Sequence, residues 1–171
     1  MSLQEVLDSN LKHKEKVAKI TEEISKNHEK FKELVELFRS GNDVIKGKCA
    51  EVMKFVSQQT PEVFPPYLDE LIEYVDYKAP RVKWGIPETI GHLARTYPDK
   101  VAKAVPKLFE NTKNKSTVVR WCAAFGLSNI AKYNVEIQAG LLEKFEQIVE
   151  IEQNNGVKNV YFKILKQKRK Q

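Results

Sequence analysis

The chain has 171 residues, of which 42% are hydrophobic and 30% are charged, and this length suits one domain or a short run of stacked repeats. Only 7 glycines and 7 prolines occur, which argues against a turn-rich all-β fold and against a disordered chain. No apolar stretch approaches the ~20 residues of a membrane span, and no secretory signal pattern is visible. We therefore expect a monomeric, cytoplasmic protein that does not enter a membrane.

The net charge of +6 is concentrated at the C-terminus. The last nine residues contain no acid and five cations: Lys163, Lys166, Lys168, Arg169 and Lys170. The remaining residues, 1–162, therefore carry a net charge of only +1. Because cations at a helix C-terminus oppose the helix dipole, the basic tail is expected to be a solvated helix end. The two cysteines, Cys49 and Cys122, have no Cys or His partner at metal-ligand spacing, and we expect buried free thiols.

Helical patterns follow one another along the chain. Residues 1–43 are interpreted as a degenerate capping unit. Its first three residues, Met1-Ser2-Leu3, are given no weight in predicting the fold. Its two helix faces are Leu11, Val17, Ile20 and Ile24, then Phe31, Leu34, Val35 and Phe38. Residues 44–151 contain three clear units, each a pair of helices separated by short breaks, with Pro61 and Pro98 in the first two. Residues 156–171 are predicted to form a closing helix that ends in the basic tail.

An internal repeat is the strongest feature of the sequence. The segments 44–57, 81–94 and 118–131 superimpose with an offset of 37 residues. Apolar columns alone could arise from helical periodicity. A basic column of Lys46, Lys83 and Arg120 and a Trp pair do not arise from it, and they indicate a true repeat. Because one helix pair cannot bury its own apolar face, the sequence predicts an all-α solenoid: about four stacked antiparallel pairs and a closing helix in a single domain, 1–171.

This pattern resembles the HEAT-repeat (armadillo-type) helical-repeat family. The resemblance rests on the paired-helix period, on the steps Val82-Lys83 and Val119-Arg120, on small residues within the first helices, and on Pro87 inside a first helix. No Asp recurs in register at the turn within each unit, which leaves armadillo-like and other helical-repeat relatives open. The resemblance implies a scaffold that holds other proteins. One branch, similar to DNA-alkylation-repair proteins, implies DNA binding instead.

The second helices of the units are predicted to carry the partner-binding face, which family geometry would place on the concave side. The candidate residues come from units two and three: Tyr67, Glu70, Tyr74, Lys103 and Lys107. The charge of this face alternates from unit to unit, whereas DNA requires a continuous positive stripe. A mixed face that carries tyrosines suits a protein partner better.

A second candidate surface is an aromatic and basic patch formed by Trp84, Trp121, Lys83 and Arg120. As a ladder with Lys46, the two cations could hold an acidic peptide or a phosphate backbone. The alternative is that each pairs with an acid or carbonyl of the preceding turn. The two Trp rings could bind a peptide or stack on bases, or they could pack between units. We expect both rings to be more than half buried.

No catalytic constellation is visible. His13, His28 and His92 lie in different units without metal-ligand spacing, and there is no phosphate-binding loop or nucleophile elbow. Glu51 and Glu88 share a repeat position near Trp84, but a lone Glu on an amphipathic helix is usually solvated or paired. The sequence therefore predicts no catalytic residue, metal or cofactor. It predicts a non-enzymatic scaffold for an unidentified protein partner, with nucleic-acid binding as the alternative function.

Overall fold

The structure, a computed structural model, describes residues 1–169, and all regular structure within them is helical. The α-helices are α1 (Leu3–Asp8), α2 (His13–Lys26), α3 (Lys30–Ser40), α4 (Asp43–Gln59), α5 (Leu68–Ile72), α6 (Pro80–Leu93), α7 (Pro98–Val101), α8 (Val105–Asn111), α9 (Thr117–Tyr133), α10 (Val135–Ile151) and α11 (Asn155–Arg169). The all-α prediction is confirmed. The last two residues of the predicted basic tail, Lys170 and Gln171, lie outside the described residues.

The helices form two layers. In the first layer α2, α4, α6, α9 and α11 lie side by side, each against the next. The second layer consists of α3, α5, α7, α8 and α10, which pack against the first layer. Four helix pairs and a closing helix result, so the predicted solenoid is confirmed. We number the units by their first-layer helices, with α2 in unit one, α4 in unit two, α6 in unit three and α9 in unit four.

The starts of the first-layer helices follow from local sequence. Asn42 and Ser116 precede α4 and α9, and each side chain accepts a hydrogen bond from the third amide along, that of Ile45 at 3.0 Å and that of Val119 at 3.4 Å. These N-caps satisfy backbone donors that have no partner within the helix. Helix α6 begins instead at Pro80, a residue that needs no amide partner at this position.

Prolines divide the second layer. In unit two, short 3₁₀ turns over Pro61–Val63 and Pro65–Tyr67 precede α5. In unit three, the second helix is split into α7, a 3₁₀ turn and α8. Because proline lacks an amide donor, it interrupts helical hydrogen bonding. Helix α10 contains no proline and runs unbroken for 17 residues. The second helices of units two and three are therefore interrupted, whereas that of unit four is continuous.

The N-terminus is part of the core. Leu3 is fully buried on α1, and Ser2 caps that helix by accepting a hydrogen bond from the amide of Glu5 at 3.1 Å. Giving these first residues no weight was therefore wrong. Leu11, predicted on the apolar face of the first helix, precedes α2 and is 38% exposed.

Close packing joins the middle units. A Cβ placed on Gly85 would lie 2.7 Å from the backbone of Ala50, so α4 and α6 approach each other through a glycine.

Cys49 and Cys122 are buried and free. No helix in residues 1–169 combines the length and the apolar composition that crossing a bilayer requires.

Candidate protein-binding surfaces

The charged residues predicted to bind a partner on the second layer form ion pairs between neighbouring units. Three pairs connect units one to two and two to three: Arg39–Glu70 at 2.6 Å, Lys103–Asp69 at 3.1 Å and Lys107–Asp76 at 3.2 Å. The hydrogen bonds from Arg39 lower the pKa of Glu70. These charges therefore link the units of the solenoid, although parts of the side chains stay exposed.

The two predicted tyrosines also pack across unit boundaries. The ring of Tyr67 lies edge-on to Phe31 with centroids 5.6 Å apart, and Tyr74 lies edge-on to Phe38 at 4.6 Å. Both tyrosines are partly buried against the core. The structure thus brings all five second-layer candidates to the boundaries between units.

The basic column divides into three different environments. Lys46 is only 7% exposed, and its ammonium group donates to the carbonyl oxygens of Arg39 at 2.9 Å and Gly41 at 2.8 Å. Both carbonyls lie at the C-terminus of α3, where a cation opposes the helix dipole. Lys83 is half-buried, and within the described residues its side chain has no hydrogen bond or ion pair.

Arg120 makes the most contacts of the column. Its guanidinium pairs with the carboxylate of Glu152 and donates to the carbonyl oxygens of Asn114 and Lys115, each at 3.0 Å. Two of the three cations are therefore already partnered, and the column does not present the ladder of free charges that a phosphate backbone would require.

The two Trp residues differ although they occupy equivalent positions. Trp84 is half-buried, and its indole Nε1 is buried without a hydrogen-bond partner in the described residues. Trp121 is 36% exposed and stacks on Phe125, with centroids 5.6 Å apart and rings 17° from parallel. Both rings are more than half buried, but only Trp121 presents a broad accessible surface.

Trp84 lines a cavity of about 310 Å³ on the outward side of the first layer, which we call the α6 cavity. Its lining comes from α2, α4, α6 and α9: His13, Gly47, Glu51, Lys54, Arg81, Trp84, Gly85, Glu88, Val118 and Cys122. Glu51 pairs with His13 at 2.5 Å, and the thiol of Cys122 lies 3.5 Å from Glu88. Burial, together with Glu88, raises the pKa of that thiol.

Both carboxylates of the α6 cavity therefore have partners. Within residues 1–169, no group of three or more His, Cys, Asp and Glu side chains is placed to hold a metal ion.

A second depression, the α9–α11 groove, has a volume of about 320 Å³. It is lined by Trp121, Phe125, Ser128, Asn129, Lys132, Val160, Lys163, Ile164 and Gln167. None of these described lining residues is acidic. The sequence interpretation missed this groove because α11 was treated only as a closing helix. The available signal was the apolar spacing of Val160 and Ile164 on a helix that follows the repeat carrying Trp121.

A third, wider depression lies on the second layer between α8 and α10, with a volume of about 890 Å³. Lys144 lies over the ring of Phe109, 4.8 Å from its centroid. Its rim also includes Glu110, Lys113 and Glu152, so this depression carries both signs of charge.

Stacked helix pairs in two layers form an armadillo/HEAT-type helical-repeat fold, and a known structure has the same architecture. A designed armadillo repeat protein in complex with the peptide (KR)4 superimposes with a TM-score of 0.69 and 20% identity, covering 96% of this chain and 79% of the designed chain. At this identity the likeness concerns the fold. No family model matches the sequence, and no curated protein matches it.

Proposed function

We propose that this chain is a non-enzymatic helical-repeat scaffold that binds a partner protein through the outward side of its first layer. The observation that carries the proposal is the exposed, stacked pair of Trp121 and Phe125 beside a groove. Tryptophan is enriched among the residues that dominate binding energy at protein interfaces. The second layer is less suited, because its candidate charges already join neighbouring units.

The similar designed armadillo repeat protein is bound to a peptide, which supports a peptide or protein segment as the kind of partner. The basic charge of that peptide does not indicate the charge of this chain's partner, because a sequence identity of 20% establishes similarity of fold alone. The proposed scaffold acts as a cytoplasmic monomer and requires no metal or cofactor.

A random peptide library displayed on phage tests this proposal. The chain is immobilised, and enriched peptides are synthesised and titrated by fluorescence polarisation. Trp121→Ala should weaken binding about 30-fold or more, since loss of an interface hot spot costs at least ~2 kcal/mol. The control is Val135→Ala, which truncates an exposed apolar side chain on the second-layer helix α10 and should leave binding unchanged. The proposal would be overturned if panning enriched no peptide whose binding to the immobilised chain is inhibited by the soluble chain.

Nucleic-acid binding is the second candidate function. It is favoured by cations on the outward side of the first layer that have no acidic partner within the described residues, namely Arg81, Lys132 and Lys163. Binding to single-stranded or duplex DNA should then fall steeply as salt rises, because released counterions dominate the affinity. Deletion of residues 166–171 separates tail-driven binding from binding by the solenoid. No binding to either DNA at low salt would remove this candidate.

A further inference from the structure

We propose that the α9–α11 groove binds an acidic peptide segment that carries an aromatic or aliphatic anchor residue. This inference rests on the proposed scaffold function and assigns both its site and the chemistry of its partner. Three features of the groove support it: an apolar anchor site, a buried unpaired hydroxyl and an uncompensated positive charge.

The anchor site lies between two helices. Trp121 and Phe125 form one wall from α9, while Val160 and Ile164 contribute apolar surface from α11. His92 of α6 packs edge-on against Phe125, with centroids 4.9 Å apart, and so supports the aromatic stack from the preceding unit. A rigid aromatic wall opposite aliphatic side chains suits a bulky apolar side chain and loses little conformational entropy when it binds.

A polar group inside the groove has no partner in the described residues. Ser128 is 8% exposed, and its hydroxyl oxygen is buried without a hydrogen bond. Buried polar groups in native proteins nearly always form hydrogen bonds. A peptide lying in the groove would supply backbone amide and carbonyl groups, either of which a serine hydroxyl can bind.

The charge of the groove is positive and uncompensated. Lys132 lies on the α9 side and Lys163 on the α11 side, and no acidic residue is among the described lining residues. The ammonium group of Lys132 lies 5.3 Å from the centroid of the Tyr133 ring, and the side chain of Lys163 forms no hydrogen bond or ion pair within residues 1–169. The other depressions in the described residues differ, because acidic side chains line each of them: Glu51 and Glu88 in the α6 cavity, Glu110 and Glu152 between α8 and α10, and Glu22 and Glu51 between α2 and α4. Charge complementarity therefore favours carboxylates beside the anchor.

The groove favours a peptide over a nucleic-acid strand. A single strand binds along a continuous positive groove with successive stacking platforms for its bases. Here the equivalent ring one unit earlier, Trp84, lines a separate cavity that also contains Glu51 and Glu88, so the positive groove and its stacking surface do not continue along the layer. The aliphatic residues Val160 and Ile164 offer surface for side chains rather than a stacking plane.

The phage library is panned in parallel on the wild-type chain and on the double variant Lys132→Glu, Lys163→Glu. Peptides enriched on the wild type should contain Asp or Glu next to an aromatic or aliphatic residue. Synthetic, fluorescein-labelled versions should bind the double variant about tenfold more weakly or worse, as expected when like charges face each other. The matched control is Lys100→Glu, an exposed lysine of α7 outside the groove, which should bind like the wild type.

The probes also include the same peptides with Asp and Glu replaced by Asn and Gln, and the oligonucleotide dT12. The amide peptides should bind about tenfold more weakly, because the carboxylates are gone. This inference would be overturned if the enriched peptides were basic, or if they bound the double variant as tightly as the wild type. Either result would leave the proposed scaffold function in place. Tighter binding of dT12 than of any peptide, lost in the double variant, would assign the groove to nucleic acid. Failure to enrich any peptide would overturn both.

Discussion

Arg120 on α9 forms two parallel hydrogen bonds to the carboxylate of Glu152, 32 residues later and just beyond α10, with Nε–Oε2 at 2.9 Å and Nη2–Oε1 at 3.1 Å. Glu152 is 7% exposed and also accepts a hydrogen bond from the amide of Asn154, immediately before α11. This bidentate pair ties the start of unit four to its end. It thereby helps to position the helix that forms one wall of the α9–α11 groove.

We expect Arg120→Met to reduce the free energy of unfolding by about 3–5 kcal/mol, because it leaves the carboxylate of Glu152 buried without its cation. Urea denaturation followed by circular dichroism measures the loss. Lys83→Met is the matched control, since Lys83 occupies the same repeat position and has no recorded partner. Its effect should be small, and equal losses for the two variants would contradict this account.

Stability should decrease in acid through Glu152. Burial acts to raise the pKa of Glu152, but hydrogen bonds from Arg120 and from the amides of Asn154 and Gln153 outweigh it, so the pKa lies below its ordinary value of 4.5. A lowered folded-state pKa stabilises the fold fully above the unfolded-state pKa, and this stabilisation is lost as pH falls through the folded-state value.

Unfolding in urea at pH 7 and at a series of pH values below 4.5 measures this loss. Glu152→Gln should be less stable at pH 7 and should lose less stability on acidification. Glu136→Gln, an exposed position on α10 without an ion pair in the described residues, should retain the wild-type dependence. An unchanged dependence in Glu152→Gln would show that other carboxylates account for the loss.

Gly85→Ala should destabilise the fold by about 1–3 kcal/mol, because the added Cβ overpacks the contact between α4 and α6. It would lie 2.7 Å from the backbone of Ala50, which cannot yield as a flexible side chain can. Gly140→Ala on α10 is the control, since a Cβ there meets nothing within 4 Å. We expect it to stabilise by up to about 1 kcal/mol through helix propensity. Thermal unfolding compares the two variants, and destabilisation by Gly140→Ala alone would reverse the assignment.

The two Trp residues should separate packing from binding. Trp84→Ala should lower the unfolding midpoint and cost up to about 3 kcal/mol, the lower end of the range for a core Trp, because the ring is half-buried. Trp121→Ala should cost less, because that ring is more exposed, and should chiefly weaken peptide binding. If Trp84→Ala left the midpoint unchanged and abolished binding, the half-buried ring would itself be the binding site.

The thiols should be inert in the native protein. Burial raises the pKa of Cys49 to about 12, and Cys49 and Cys122 are 0% and 1% exposed. Because the thiolate is the reactive form, iodoacetamide at pH 7 should modify neither residue in the folded chain and both in concentrated urea. Mass spectrometry counts the adducts, and rapid native labelling of either cysteine would contradict its buried position.

The repeat was predictable because its signal is local. Apolar spacing along each helix and a 37-residue offset follow from the chain itself, as do the prolines that divide the second layer. The apolar spacing did not show how the second helices of units two and three divide into shorter segments. The N-terminal helix α1 was missed because it is short and precedes the repeat register, although Leu3 is fully buried.

The sequence by itself determined the class of fold and the number of helix pairs, and it offered candidate residues for a binding surface. Only the tertiary structure decided which of them remain available. Lys83 and Arg120 are equivalent in the repeat, yet Arg120 has a carboxylate partner because the chain returns to it at Glu152. Glu70 likewise pairs with Arg39 of the preceding unit. Partners about 30 residues apart meet because the units stack, and no local sequence pattern encodes this stacking. The same stacking places Trp121 beside the groove and leaves Trp84 half-buried.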